Sequence, residues 1–450
     1  MEKMKQTVDF NEIIKEIEDN QILLPDFQRN FVWSDKRTQS KLVASVLCKM
    51  PLGSILVLTS LAGEFAAKVN KKFYKDLIEE VKKLRSYFMD AIPDVISTVC
   101  SSYIKQKRGY SAGIDIDYCN ENGELHKTYK DAFLNVLSLF SNNPGIESDR
   151  KKNKCIGRED ILKLTAEQIN QNYRIACLGL DRAAFFLKTR CGVRSIGDVN
   201  YRLMLNILGF LFAKDDWYED CDVQNCLEAW YWGAIFSGHY DKDQKVTMIH
   251  DMEQLIDILN KKKGVNWLFA MRDKTLRLQD FSDVSFLLYE NYKNTKNAPK
   301  EILGNYICQF YLAYTYPDMF QDKKQISTFM KDNDKLEKHH IIPLGSVNTM
   351  KESAQRLQKE KNIYNSPLNF IYITAGANKR VSSKSVQDYE SDIQNSAAVV
   401  LDFGRYGKIE KGEAGVKELL QSRYKKLLGK IEAKINCLLE NWEVEEYAEI

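Results

Sequence analysis

The chain has 450 residues, 44% of them hydrophobic and 28% charged, with a formal net charge of +3. That length accommodates two or three domains with their own cores, and the composition excludes a disordered chain. The small net charge excludes a strongly basic nucleic-acid coat but leaves room for a local basic groove.

Ten cysteines are scattered without a Cys-x-x-Cys pair. This argues for reduced thiols in a cytoplasmic protein, against a disulfide framework, and against a paired-cysteine zinc site. The first residues are polar and do not resemble a signal core. The most apolar run, 203–212, contains Asn206 and Gly209. It is shorter than the roughly 20 apolar residues a bilayer span needs, so it reads as a buried core helix, and no membrane association is expected.

In chain order, Asn11 is placed to start a helix carrying Ile13, Ile14 and Ile17. A second helix, 38–49, puts Leu42, Val43, Val46 and Leu47 on one face and is broken by Pro51-Leu52-Gly53. The apolar run 54–58 reads as a buried strand. From about 70 to 330 the pattern is mainly helical. Alternation over 113–118 followed by Asn122-Gly123 predicts a hairpin, and the polar stretch 141–154 predicts a loop. Helices are expected at 161–172, 176–190, 200–213 and 223–236. From Lys331 to Thr374 the pattern changes to short strands and loops. A helix is predicted from 379 to 390, and a long terminal helix from about 415 to 442.

Two of the five histidines are adjacent, in Glu337-Lys338-His339-His340-Ile341-Ile342-Pro343. Downstream lie Asn365, Asn369 and Asn378-Lys379-Arg380. Taken singly these are ordinary: a histidine pair is more often solvated or satisfied in a core, and Asn-Lys is a common turn dipeptide. Their joint order and spacing favours a site. Neighbouring side chains on a strand point to opposite faces, so both histidines serve one site only if the strand bends or ends there, as Pro343 would allow. An imidazole is suited to take a proton near neutral pH, and a divalent metal neutralises phosphoryl charge; together they meet the needs of phosphodiester hydrolysis.

These residues resemble the HNH endonuclease superfamily, and more closely the C-terminal domain of GmrSD-type, modification-dependent restriction enzymes. The resemblance implies His340 as general base, His339 and Asn378 as metal ligands, and Asn369 as the central Asn that braces the loop and orients the base. Asn365 is a rival for that position. An Asn ligand suits Mg²⁺, with Mn²⁺ as an alternative. Lys379, Arg380 and Lys384 would lie near backbone phosphates.

Near the N-terminus, Leu24-Pro25-Asp26-Phe27-Gln28-Arg29-Asn30-Phe31-Val32-Trp33 mixes unlike chemistries. The aromatics can be core, with Arg29 paired to Asp26 or Asp35; alternatively Gln28 and Arg29 address phosphate or a base edge. With Pro51-Leu52-Gly53-Ser54 this run resembles the ParB-like N-terminal domain of the same GmrSD-type proteins, and 230–240 resembles a helical segment between their two domains. The Asp-Gly-Gln-Gln-Arg run tied to nucleotide hydrolysis in that family is missing, so NTP use is not expected.

The expected architecture is α+β: a ParB-like domain over 1–150, a helical middle over 151–325, and a ββα-metal module with a long terminal helix over 326–450. The expected function is metal-dependent cleavage of DNA in prokaryotic anti-phage defence or restriction, possible as a homodimer or with companion defence proteins. The alternatives are a nuclease-related DNA-binding or regulatory subunit that needs a partner, and RNA as the target.

Overall fold

The computed structural model describes residues 100–109, 118, 126–275, 302–330, 336–343, 363–382, 384, 388–389 and 413–444. The elements expected within 9–58, the turn at Asn122-Gly123, and Gln28 and Arg29 lie outside them. The described part is mostly helical with two small antiparallel sheets, an α+β composition. No helix among the described residues is long and apolar enough to cross a membrane.

Two compact units emerge. One comprises Met1–Lys107, Phe133–Gly145 and Lys151–Cys177; the other comprises Arg108–Ala132, Ile146–Arg150 and Leu178–Ile450. Among the described residues of the N-terminal half, the helices are α1 (Ser101–Lys107), α2 (Lys127–Asn142), α3 (Arg150–Asn153), α4 (Arg158–Leu162) and α5 (Ala166–Arg190).

In the first unit, Phe133, Val136, Leu137 and Phe140 recur at helical spacing and are buried. The stretch predicted as a loop, 141–154, contains α3, and the buried Asn143 Nδ2 donates to Asn153 Oδ1 at 2.8 Å. The helix predicted over 161–172 is two elements instead. Thr165 starts α5 with a reciprocal capping box: Gln168 N–H donates to Thr165 Oγ1 (3.2 Å), and Thr165 N–H donates to Gln168 Oε1 (3.0 Å). The helix then runs without a break through the separately predicted 176–190.

The second unit adds α6 (Arg202–Leu211), α7 (Asp215–Glu219), α8 (Cys221–Phe236), α9 (Gln244–Leu259), α10 (Asn266–Arg272), α11 (Ile302–Ala313), β1 (Tyr316–Asp318), β2 (Gln321–Ile326), β3 (Leu336–His340), β4 (Phe370–Thr374), α12 (Ala375–Val381) and α13 (Glu413–Leu438). The apolar run 203–212 forms α6, whose residues from Met204 to Leu211 are all buried. A Cβ on Gly179 would sit 1.9 Å from the Gly209 carbonyl oxygen, so α5 and α6 approach more closely there than any side chain permits. Trp230 and Trp232 of α8 are fully buried, the latter edge-on to Phe310 of α11 at 5.1 Å. Leu420, Leu427, Ile431 and Ile435 make the buried stripe of α13.

Within the range predicted as helical, β1 and β2 form an antiparallel hairpin with a register shift between Pro317 and Asp318. Pro317 has no N–H to continue a helix, and Tyr316 and its partner Ile326 are both buried.

Two buried carboxylates hold the second unit's helices together. Glu228 on α8 accepts from Arg190 Nε (2.6 Å), Lys434 Nζ of α13 (2.9 Å) and Trp232 Nε1 (3.2 Å). Asp251 on α9 accepts from Trp230 Nε1 (2.9 Å), Tyr240 Oη (2.8 Å) and His239 Nε2 (2.8 Å), with His250 Nδ1 at 3.5 Å. Burial pushes the Asp251 pKa up, but the hydrogen bonds from His239, His250 and Trp230 outweigh it and hold the group below its ordinary value. The bond to Asp251 raises the His250 pKa, partly offset by burial.

Asp251→Ala strands the indole and phenol donors and is expected to cost about 3–5 kcal/mol in urea unfolding. The lowered Asp251 pKa stabilises the fold above the ordinary carboxylate value, and this is lost as pH falls through the folded-state value. The raised His250 pKa stabilises below the ordinary imidazole value, and this is lost as pH rises through the folded-state value. The stability gap between the wild type and Asp251→Asn is therefore expected to be widest between about pH 4 and pH 6.5.

Candidate functional site

Strands β3 and β4 pair antiparallel, with Lys338 opposite Tyr372, His339 opposite Ile371 and His340 opposite Phe370. Alternation along β3 separates its side chains. Lys338 Nζ and the His340 ring both lie on the Phe370 ring, at 4.3 and 4.4 Å. His339 and Glu337 both reach Asn378 instead. The strand ends at His340, yet the two imidazoles have different partners on different sides.

Asn369 is fully buried and ties the end of β3 to the start of β4. Its Oδ1 accepts from Ile342 N–H (2.9 Å), and its Nδ2 donates to the carbonyls of Ile342 (3.1 Å) and Tyr364 (2.8 Å). The backbone N–H of Ile341 adds a bond to the Asn369 carbonyl at 2.9 Å. Arg423 on α13 donates to the carbonyls of Leu368 and Phe370 while its guanidinium lies 4.9 Å from the Tyr311 ring. Tyr389 Oη donates to the Ile341 carbonyl.

Asn378 lies inside α12, and the helix predicted over 379–390 begins earlier and ends sooner. Thr374 is the N-cap: its Oγ1 accepts from Ala377 N–H (3.1 Å) and donates to the buried Asp318 Oδ2 (2.6 Å) of the β1–β2 hairpin. The helix stops at Val381, where Ser382 takes φ 49°. Lys379, Arg380 and Lys384 are exposed, with the Arg380 guanidinium 4.5 Å from the Phe320 ring.

The hydrogen bonds assign the tautomers. Asn378 Nδ2 donates to the Glu337 carboxylate, which leaves its Oδ1 toward His339. His339 Nδ1–H therefore donates to that oxygen at 2.8 Å. Desolvation lowers the His339 pKa to about 4, opposed by the bond to Asn378 and assisted by His340, so the ring is neutral at pH 7. Its lone pair sits on Nε2, which is buried and has no hydrogen-bond partner among the described residues. On the other side, His340 Nε2 and Asn365 Oδ1 are 3.0 Å apart. With Nε2–H donating, Nδ1 is the basic nitrogen. Desolvation lowers the His340 pKa to about 4 as well, with Asn365 opposing and Lys338 assisting.

The two candidate asparagines thus do different things: Asn369 braces the loop, and Asn365 touches the His340 ring. Glu337 had no role in the sequence reading. Its position two residues before His339 on a strand, hence on the same face, was the available signal. No group of three His, Cys, Asp or Glu side chains able to hold a metal occurs among the described residues. The donor types suit a hard divalent cation, a neutral imidazole with amide and carboxylate oxygens at its Nδ1 edge, while the unpartnered Nε2 points to the other side.

Removing the Asn369 amide strands three backbone groups. Asn369→Ala is expected to destabilise the protein by about 3 kcal/mol in urea unfolding. Asn369→Asp keeps the acceptor for Ile342 N–H but turns an oxygen toward two carbonyls, so it is expected to cost at least as much.

Residues 10–92 match the family model for the N-terminal domain of GmrSD restriction endonuclease. No curated protein and no solved structure matches the chain. The chain thus carries a GmrSD-type N-terminus, a coarse indication of a restriction endonuclease of the defence kind.

Proposed function

We propose that the chain is a metal-dependent, HNH-type DNA endonuclease acting in prokaryotic anti-phage restriction. The observation that carries this reading is the His339 ring: buried, neutral, and set with one edge against Asn378, which in turn meets Glu337. The hairpin β3–β4 followed by α12 has the strand–strand–helix order of a ββα-metal module.

His339, Asn378 and Glu337 would hold the divalent metal, Mg²⁺ or Mn²⁺, with the His339 proton moved to Nε2 so that the Nδ1 lone pair faces the two oxygens, and the bound ion would supply charge neutralisation on the phosphoryl oxygens. His340 Nδ1 takes the proton from the attacking water, and Asn365 keeps the ring turned so that Nδ1 is the acceptor. A pKa near 4 makes His340 neutral but weakly basic. A phosphodiester placed beside it raises that value, because a nearby anion favours the imidazolium. Asn369 positions both histidines through the backbone of Ile341 and Ile342. Lys379, Arg380 and Lys384 offer exposed cations for phosphates, and Gln28 and Arg29 of the N-terminal region are the candidates for DNA contact there. Cleavage of both strands with one such site per chain would call for two copies or a companion protein.

Conversion of supercoiled plasmid to nicked or linear DNA tests this, with Mg²⁺ or Mn²⁺, modified and unmodified substrates, and each reaction with and without NTP. His340→Ala is expected to lower the rate about 10²–10⁴-fold. His339→Ala is expected to abolish saturable Mn²⁺ binding followed by calorimetry. Normal cutting by His340→Ala would remove the base assignment. A wild type that binds DNA but cuts nothing under any condition would point to a regulatory, partner-dependent subunit.

A further inference from the structure

A cavity of about 320 Å³ opens on the face of the β3–β4 hairpin opposite the His339–Asn378–Glu337 cluster. Its walls include Arg194, Asp198, Asn200, Asn305, Lys338 and Tyr372. The volume falls in the roughly 300–1,000 Å³ range of small-molecule sites. Gly192 shapes one side. It takes φ 67°, and a Cβ there would lie 2.1 Å from the Gln309 carbonyl oxygen, so only glycine lets this loop close onto α11.

The walls are polar and their charge is lopsided. Lys338 Nζ donates to Asn305 Oδ1 at 2.9 Å and rests on the Phe370 ring. The Arg194 guanidinium rests on the Tyr372 ring at 4.6 Å. Two cations are therefore set on neighbouring aromatic residues of β4, while Asp198 is the one carboxylate among the lining residues. That carboxylate is already engaged: its Oδ2 accepts from Ser195 N–H at 3.3 Å and lies 3.5 Å from Arg194 Nε. Arg194 Nε is buried and makes no hydrogen bond among the described residues. That nitrogen is held by the Asp198 ion pair, and Nη1 donates to the Leu336 carbonyl at 3.4 Å, so the lining residues carry two cations against one carboxylate, a net positive charge that an anion can meet.

An apolar ligand would strand the amides, and a cationic one would meet Arg194 and Lys338. A guanidinium and an ammonium together suit the oxygens of a phosphate. The volume exceeds what a bare phosphate fills, and the amides of Asn200 and Asn305 can meet a polar base or sugar. We propose that this cavity binds a phosphate-bearing nucleotide unit. The source is either a free mononucleotide or one residue of a nucleic-acid strand. His340 shares the face two residues beyond Lys338, roughly 7 Å along the strand. The proposal needs neither the metal nor cleavage and so does not rest on the nuclease reading.

The test is calorimetric titration of the full chain in EDTA with deoxyadenosine 5′-monophosphate, deoxyadenosine, inorganic phosphate and a short single-stranded oligodeoxynucleotide. The monophosphate or the oligonucleotide is expected to bind, with deoxyadenosine weaker by about tenfold or more. Arg194→Gln and Lys338→Gln are each expected to weaken binding by a similar factor. Asn200→Asp places a negative charge on an exposed position of the rim and is expected to weaken binding while leaving the thermal midpoint unchanged. It keeps the test decisive if the other variants fold poorly. Monophosphate binding that the oligonucleotide does not displace assigns a free nucleotide; oligonucleotide binding lost in the same variants assigns the strand. Absence of binding by both phosphate-bearing probes overturns the proposal. So does equal binding of deoxyadenosine, or affinity indifferent to all three substitutions.

Discussion

The side-chain amide of Asn369 is the constraint on which the candidate site depends. It is fully buried and bonds three backbone groups on two segments that would otherwise diverge, at Ile342 and Tyr364. An amide carries both a donor pair and an acceptor, so one side chain can close a loop against N–H and C=O groups together. A carboxylate or an ammonium of similar size cannot, and a hydroxyl has only one proton for the two carbonyls. The bend after His340 is thereby fixed, and with it the directions in which the two histidines leave the strand.

Burial then gives those histidines their chemical character. Desolvation outweighs the hydrogen bonds to Asn378 and Asn365 and keeps both rings neutral. Each ring commits one nitrogen to an asparagine oxygen and keeps its lone pair on the other. Because adjacent strand residues face opposite ways, the pair addresses two environments: a carboxylate and amide around His339, and Lys338 with Phe370 around His340. The polar cavity lies on the second of these faces, which places a cationic pocket and a basic imidazole side by side along one strand.

The helices around the hairpin contribute through buried polar anchors as well as apolar burial. Arg423 of α13 holds the carbonyls that flank Asn369, and Lys434 of the same helix reaches Glu228 on α8. Both anchors come from a helix whose other inward residues are aliphatic. Apolar packing sets how closely the helices approach, and these directional bonds set their register along the axis. The β1–β2 hairpin acts in the same way, since Asp318 fixes the cap of α12 and hence the height at which Asn378 meets His339.

Local pattern was enough to read the mixed α and β composition, the burial of α6 and the long terminal helix, because helical and strand periodicities are written in neighbouring residues. The candidate residues were legible as types and order: adjacent histidines on a strand and asparagines after it. The break at Thr165, the β1–β2 hairpin and the start of α12 at Thr374 were not. Each depends on a cap or a contact competing with a helix-like pattern. The separate parts of Asn365 and Asn369, the tautomers of the two histidines, the involvement of Glu337 and the cationic cavity were decided by tertiary structure alone. They rest on hydrogen bonds between residues 25 to 41 positions apart, or on helices that meet only in the folded chain. Sequence supplies the groups, but whether a nitrogen is buried, bonded or left with its lone pair exposed to a partner depends on distances that only folding creates.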